Sequence, residues 1–297
     1  MNTPLIDIAH LLPPASETKA SLLSRYDAWL GMQTFTPNTR RNYLSQISRY
    51  LHFTGDAAEE ILKDPSQRDI SLANYITHLR DTAQSRLSSI NTTLTAIESF
   101  FRFLGVGFPA IKRERLACTP PRILTREERS DLLAVVADKT SAKERSVVLL
   151  FLSTGIRLGE CAALNVSDAS FSSHEGKAIL SVHKDGTSRN LPLDEATRSA
   201  LFAWLIQRER KAVESAEQAL FVNNSGQRMS TQGLDLIVRK VGIHARLNLS
   251  AQVLRDTFLT EVARQSNDAF LVAKIAGHAR LDSTRKYFDL AQTSSLG

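Results

Sequence analysis

Apolar residues in the first part of the chain recur at intervals of three and four, the spacing that places them on one face of an α-helix. The longest such series comprises Leu87, Ile90, Leu94, Ile97, Phe101 and Leu104. Another helix is predicted to begin at Thr36 and Pro37, because threonine is a good N-cap and proline suits the first helical position. Shorter helices are predicted over about 19–30 and 72–81, so this region should form a small helical bundle.

The second part of the chain continues with helical patterns that carry clear start signals. Thr125 and Glu128 have the spacing of a capping box, which predicts a helix start, and another helix is predicted over about 142–153. Further helices are predicted to begin at Asp194, Ser230 and Ser250 and to cover about 269–276 and 282–291.

One stretch of the second part has an extended pattern. Two short runs, residues 177–184 and 187–193, flank the pair Asp185 and Gly186, which favours a tight turn between antiparallel strands. The predicted fold class is therefore mainly α with a small antiparallel β-sheet, an amino-terminal helical bundle being followed by an α+β domain.

The 297 residues are enough for about two domains. The predicted boundaries are an amino-terminal extension over 1–15, a helical domain over 16–107, a linker over 108–123 and a second domain over 124–297.

Charge supports the placing of the linker. Residues 1–105 are neutral overall, whereas residues 106–123 carry a net charge of +3 and contain three prolines, a composition typical of a segment between domains. Its side chains could lie along a phosphate backbone, or the segment could be a solvated linker whose charge is incidental. Its basic residues are Lys112, Arg113, Arg115 and Arg122.

Several classes of protein are excluded by composition. No apolar run approaches the roughly 18 residues of a membrane span, and the first residues lack the pattern of a secretory signal. Cys118 and Cys161 form neither a disulfide framework nor a zinc-binding spacing. A reducing, cytoplasmic setting is therefore expected, with no membrane partner.

The chain also lacks the common hydrolytic motifs. It has no glycine-rich phosphate loop, no His-Glu-x-x-His and no Gly-x-Ser-x-Gly, and its carboxylates do not cluster as a two-metal site requires. Any phosphodiester chemistry must therefore use protein groups alone, so no metal and no cofactor are expected. Such chemistry needs fixed cations, a nucleophile and an acid for the leaving oxygen.

The second part of the chain contains such groups, within motifs that resemble those of the tyrosine recombinases, also called the phage integrase family. Four motifs carry the resemblance: Thr-Gly-Ile-Arg-Leu-Gly-Glu around Arg157, Lys-Asp-Gly at Lys184 followed by Arg189-Asn-Leu-Pro-Leu, Leu-Arg-Asp-Thr-Phe around Arg255, and Ala-Gly-His at His278 followed by Tyr287. The resemblance extends from about residue 16 and implies a helical core-DNA-binding domain followed by a catalytic domain.

The resemblance implies a role for each catalytic residue. Tyr287 would attack the scissile phosphate and form a 3′-phosphotyrosyl link. Arg157 and Arg255 would bind the non-bridging oxygens, for which the planar, permanently charged guanidinium is suited. Lys184 would protonate the leaving 5′-oxygen, and His278 would contact the phosphate or assist proton transfer. Arg40 and Arg41, in the helix that follows Pro37, are added to the linker residues as candidate DNA contacts.

Three acidic or amide residues need separate interpretation. The family usually has histidine three residues before the second arginine, but this chain has Gln252, which donates a hydrogen bond and cannot shuttle a proton. The residue after that arginine, often histidine in the family, is Asp256. Any base role at Gln252 is thus in doubt, and His278 is the candidate replacement. Glu160 is expected to be structural, because a carboxylate beside the phosphate would repel it.

The resemblance implies a site-specific recombinase that acts on double-stranded DNA core sites as a tetramer, in the cytoplasm at the nucleoid. Without a further amino-terminal domain, a Xer-like or transposon-type enzyme of a mobile element is favoured. Two alternatives stay open. A catalytically weakened DNA-binding regulator could use residues 269–291 as a helix-turn-helix, with Gln252 as a sign of decay. A topoisomerase or resolvase would share the chemistry without pairing two sites.

Overall fold

The computed structural model describes residues 19–55, 61–62, 64–107, 113, 120–171, 178–184, 186–209 and 218–293. The chain divides into two compact units, Met1–Cys118 (unit 1) and Thr119–Gly297 (unit 2). Most of the predicted linker, with Lys112 and Arg115, lies outside the described residues, as does the predicted extension 1–15.

The described secondary structure of unit 1 is helical. Its helices are α1 (Lys19–Gly31), α2 (Pro37–Phe53), α3 (Pro65–Thr77), which continues as a π-helical turn (His78–Thr82), and α4 (Leu87–Phe103).

The start of α2 is as predicted, since Thr36 accepts a hydrogen bond from the amide of Thr39 and Pro37 opens the helix. The predicted start of α3, at residue 72, is too late. The helix begins at Pro65 because Asp64 accepts hydrogen bonds from the first free amides of the helix, although its first turn is polar and gives no apolar pattern.

Aromatic side chains form much of the core of unit 1. Tyr26, Tyr50, Phe100 and Phe101 are fully buried, and α4 supplies both phenylalanines. The Tyr26 hydroxyl donates to the hydroxyl of Ser99 at 3.0 Å, which satisfies a polar group that burial would otherwise leave without a partner. Packing within unit 1 therefore has both an apolar and a hydrogen-bonded component.

Unit 2 combines helices with the sheet. Its helices are α5 (Arg126–Asp138), α6 (Ala142–Thr154), α7 (Leu158–Ala163), α8 (Glu195–Glu209), α9 (Thr231–His244), α10 (Ala251–Ser266), α11 (Ala269–Ala276) and α12 (Asp282–Thr293).

The sheet is antiparallel, with the order β1 (Ala169–Phe171), β2 (Ala178–Lys184) and β3 (Thr187–Leu193). The predicted hairpin is confirmed as β2 and β3, which pair Leu180 with Leu191 and Lys184 with Thr187. The three-residue strand β1 is not predicted from the sequence, because it is too short to show a period-two pattern.

Two glycines of unit 2 end helices in a backbone conformation that favours glycine. Gly155 ends α6 and Gly277 ends α11, both in the left-handed region at φ of +59° and +64°. A Cβ on Gly155 would lie 2.6 Å from the Phe258 ring. Only glycine permits this close approach, which sets the end of α6 directly against α10.

A small apolar cluster joins the last three helices. Leu259 and Ala263 of α10, Val272 and Ala276 of α11, and Tyr287 of α12 pack together. This cluster fixes where the Tyr287 ring lies. No helix in the described ranges is long and apolar enough to cross a membrane.

Candidate active site

Three arginines from separate elements meet at the carboxyl end of α11. Each donates to a different backbone carbonyl there: Arg189 to Ile275 (3.0 Å), Arg255 to Ala276 (2.8 Å) and Arg157 to Gly277 (2.6 Å). The last carbonyls of a helix have no partner within it and carry partial negative charge, so they favour cations. The end of α11 thus orients Arg157 and Arg255, which the sequence predicts as catalytic residues, and also Arg189.

Arg255 is the most deeply placed of the three. It lies in the second turn of α10, is 4% exposed, and also donates through Nη1 to the Gly155 carbonyl. Burial, and then the neighbouring Arg157, lower the pKa of Arg255 from its ordinary value. Accumulated positive charge of this kind is what a phosphate would neutralise.

The Glu160 carboxylate bridges the other two arginines. It lies 2.8 Å from Arg157 Nη1 and accepts both terminal nitrogens of Arg189, at 3.0 and 2.6 Å. Burial alone would raise the pKa of Glu160, but the hydrogen bonds from Arg189 and Arg157 bring it down to about 2. The structural role predicted for Glu160 matches this position.

His278 follows Gly277 and is held as a neutral ring. Its Nδ1 lies 2.9 Å from the Thr284 hydroxyl, and its Nε2 lies 3.4 Å from Arg255 Nη2. Since arginine only donates, Nε2 accepts and Nδ1 carries the proton. Burial, followed by Arg255 and Arg157, lowers the pKa of His278 to about 4.

Tyr287 lies beside this group and is 1% exposed. Its ring stacks on the His278 ring at a centroid distance of 6.0 Å, and its hydroxyl donates to Asp256 Oδ1 at 2.9 Å. Burial, and then Asp256, raise the pKa of Tyr287, while Arg255 partly opposes them. The phenol therefore keeps its proton at neutral pH.

Of the two remaining predicted residues, Gln252 reaches the site and Lys184 is placed only by its backbone. Gln252 Nε2 donates to Asp256 Oδ1 at 2.9 Å. Lys184 is the last residue of β2, and its side chain lies outside what the structure describes. Arg189, on the paired strand β3, anchors the same hairpin to the arginine cluster.

Comparison with known proteins identifies the family. Residues 122–294 match the model of the phage integrase family, and residues 23–105 match the phage integrase N-terminal SAM-like domain. The chain belongs to the phage integrase family. Phage integrase relatives include Tyrosine recombinase XerA of Thermococcus kodakarensis, which is 26% identical over 90% of this chain and 89% of the relative. Tyrosine recombinase XerC of Chlamydia muridarum is 29% identical over 90% of this chain and 92% of the relative.

A solved structure has the same fold. XerH site-specific recombinase, in a post-cleavage complex with palindromic difH substrate, matches at a TM-score of 0.69 and 17% identity, over 95% of this chain and 96% of that one. The predicted phage integrase family, fold class and enzyme class of a DNA strand-transferring tyrosine recombinase are confirmed.

Two residues of this phage integrase site have no catalytic role predicted from sequence. Arg189 belongs to the hairpin motif, yet its side chain is 12% exposed and paired with Glu160. It shares a strand face with the buried Leu191 and Leu193, and a charge on an apolar face is the signal that could have identified it. The sequence marks Asp256 only as a departure from the family pattern.

The predicted DNA contacts are partly engaged within their own units. Arg40 pairs with Asp27, Arg113 lies 2.5 Å from Glu98, and Arg122 lies 2.7 Å from Glu128. Arg41 lies on α2. The role of these residues on DNA stays a prediction, and the paired arginines would exchange a carboxylate for a phosphate on binding.

Within the described ranges, no group of three or more histidine, cysteine, aspartate or glutamate side chains could hold a metal ion. The arrangement offers instead fixed guanidinium groups, a neutral imidazole and a protonated phenol within one cluster. These are groups able to bind a phosphodiester and to attack it.

Proposed function

We propose that this chain is a site-specific tyrosine recombinase that cleaves and rejoins double-stranded DNA through a 3′-phosphotyrosyl link formed by Tyr287. One observation carries the proposal. The hydroxyl of a buried tyrosine lies in the same polar cluster as Arg255 and His278, which come from other segments of the chain. A tyrosine placed only for packing would not need an arginine and a histidine from distant segments beside it.

The arginines are assigned to binding the phosphate. Arg157 and Arg255 donate to its non-bridging oxygens in the transition state, where each such donor contributes about 3–4 kcal/mol. Both arginines donate to backbone carbonyls in this structure. Each guanidinium has five N–H groups, so these contacts leave other N–H groups that can bind the phosphate. His278, bonded to Thr284, contacts the same phosphate or assists proton transfer there.

Two further steps complete the reaction. Lys184, at the end of β2, protonates the 5′-oxygen as it leaves, so that a free 5′-hydroxyl is produced. Because the covalent link conserves the phosphodiester energy, a 5′-hydroxyl can attack it and rejoin the strand without ATP.

The assembly follows from the same assignment. Four copies of the chain act on two DNA core sites and exchange one pair of strands at a time, with the basic linker 108–123 crossing the duplex. The proposed place of action is the nucleoid, in the cytoplasm. The relatives named Xer and the XerH complex with difH substrate support a recombinase that acts on DNA sites. A solved lambda integrase tetramer bound to a Holliday junction supports the use of four copies.

Covalent trapping tests the proposal and maps the DNA site in the same experiment. The chain is incubated with sheared genomic DNA of its source organism, the reaction is stopped with detergent, and protein-linked DNA ends are sequenced. Adducts should accumulate at one short sequence. Tyr287→Phe should bind that sequence and give no adduct, whereas the control Tyr75→Phe, at another buried tyrosine, should match the wild type.

Two results would contradict the proposal. Adduct formation that persists in Tyr287→Phe would exclude this tyrosine as the nucleophile. Binding without any adduct from the wild-type chain would favour a regulator that has lost catalysis.

A further inference from the structure

One carboxylate oxygen in the site collects three donors. Asp256 Oδ1 accepts from Tyr287 Oη at 2.9 Å, from Gln252 Nε2 at 2.9 Å and from Lys286 Nζ at 3.3 Å. Asp256 is 3% exposed and directly follows Arg255 on α10. A buried carboxylate needs such partners, and here one of them is the proposed nucleophile.

The other candidates for receiving the tyrosine proton are unsuitable. Gln252 has an amide, which does not take up a proton, and its nitrogen points to Asp256. His278 has its two ring nitrogens directed at Thr284 and Arg255, and its ring lies parallel to that of Tyr287 at a centroid distance of 6.0 Å. Among the described residues, Asp256 is the acceptor that contacts Tyr287 Oη.

A positive charge lies beside both the Asp256 carboxylate and the Tyr287 ring. Lys286 places its ammonium against the carboxylate and 4.7 Å from the centre of the Tyr287 ring. The positive charge stabilises negative charge that develops on the phenol oxygen as it attacks. Burial and Asp256 raise the pKa of Tyr287, so the proton does not leave by itself at neutral pH and attack requires an acceptor.

We propose that Asp256 is the catalytic base that takes the proton of Tyr287 during strand cleavage, in the position where the family often has histidine. This inference rests on the function proposed above. It assigns to Asp256 the proton transfer for which Gln252 is unfit.

Cleavage moves two protons. As Tyr287 Oη forms its bond to phosphorus, its proton passes to Asp256 Oδ1, the bond from phosphorus to the 5′-oxygen breaks, and that oxygen takes a proton from Lys184. In rejoining, the 5′-hydroxyl attacks phosphorus and returns its proton to Lys184. The bond from phosphorus to Oη breaks, and Oη recovers its proton from Asp256.

The test is the single-turnover rate of adduct formation on a nicked duplex that carries the site mapped by trapping. Asp256→Asn keeps the size and the accepting oxygen of the side chain but accepts no proton. Its rate should fall about 10²- to 10⁴-fold, the usual contribution of a general base, while its affinity for the same DNA stays near the wild-type value. Asp256→His, which restores a base, should react at least about tenfold faster than Asp256→Asn. Asp131→Asn, at an exposed carboxylate of α5, is the matched control and should react at the wild-type rate.

Folding is checked by circular dichroism, because Asp256→Asn leaves Lys286 facing a neutral amide. Should that variant not fold, the double variant Asp256→Asn with Lys286→Gln removes both charges, and its rate is compared with that of Lys286→Gln alone. The double variant should form the adduct about 10²-fold or more slowly than Lys286→Gln alone.

Two outcomes would overturn the inference. The first is an Asp256→Asn rate that equals or exceeds the wild-type rate, as it would if the carboxylate only restrained Tyr287. The second is an Asp256→His variant that reacts no faster than Asp256→Asn. A wild-type chain that forms no adduct would instead refute the proposed function, and the inference with it, whatever the variants do.

Discussion

Replacing Glu160 with glutamine removes the charge that holds two arginines of the site together. The carboxylate accepts hydrogen bonds from both terminal nitrogens of Arg189 and from the backbone and guanidinium of Arg157, and it is almost fully buried. An amide keeps the shape, but it cannot compensate two cations, and its NH₂ group would face a donor. The substitution should therefore destabilise unit 2.

The magnitude follows from the pKa of Glu160, which is about 2 in the folded chain against an ordinary 4.5. One pKa unit corresponds to about 1.4 kcal/mol, so the charged form contributes about 3 kcal/mol to the free energy of unfolding at neutral pH. Removing one partner of a buried ion pair costs a similar amount, about 3–5 kcal/mol. Because the folded pKa is depressed, this stabilisation is complete above pH 4.5 and is lost as the pH falls from 4.5 towards 2.

Urea denaturation at several pH values measures both features. At pH 7, the free energy of unfolding of Glu160→Gln should be about 3 kcal/mol below that of the wild type. Below pH 4.5, this difference in unfolding free energy should shrink by about 1.4 kcal/mol per pH unit. Glu195→Gln, which removes an exposed partner of Arg198, is the matched control and should cause no measurable change. A Glu160→Gln chain as stable as the wild type, or a gap that does not depend on pH, would refute the reasoning.

The other predictions concern three glycines and His278. Gly155→Ala should lower the free energy of unfolding by about 1–2 kcal/mol for the left-handed backbone and about 1–3 kcal/mol more for the contact with Phe258. Gly186 has a φ of +77° and no described atom within 4 Å of an added Cβ, so Gly186→Ala should show only the cost of the left-handed backbone in the same urea experiment. Equal losses of unfolding free energy in the two variants would contradict this account. Gly277→Ala would place a Cβ 2.8 Å from a guanidinium nitrogen of Arg157 and from one of Arg189. Adduct formation should therefore slow about 10²-fold while DNA affinity is retained. An unchanged rate would show that the position of these guanidinium groups does not matter. The pKa of His278 is lowered from 6.5 to about 4, so the wild type should lose about 3 kcal/mol of its free energy of unfolding as the pH falls from 6.5 to 4. His278→Gln should remove this part of the pH dependence. A variant whose stability depends on pH as that of the wild type does would contradict the prediction.

Local signals in the sequence are sufficient for most helices. The capping box at Thr125 and the serine caps at Ser230 and Ser250 mark the starts of α5, α9 and α10, because each satisfies amides that the helix itself leaves without partners. The early start of α3 escapes prediction since its first turn is polar, and β1 escapes it since three residues show no period. Where apolar residues do not recur at a regular spacing, the local sequence does not predict the bounds of an element.

The site is harder to predict because it depends on contacts between distant segments. Motifs identify Arg157 and Arg255, but their common support at the end of α11 joins residues that are 120 and 21 positions apart. Asp256 illustrates the limit. Its sequence position shows only that the usual histidine is absent, whereas its bond to Tyr287, 31 positions away, depends on how α12 packs on α10.

The most direct test of the central claim is to identify the amino acid that carries the DNA. Adducts formed on the mapped site are digested with protease and nuclease, and the remaining peptide is sequenced by mass spectrometry. The account predicts a 3′-phosphonucleotide attached to the oxygen of Tyr287. Attachment to any other residue, or a 5′-linked nucleotide, would contradict it.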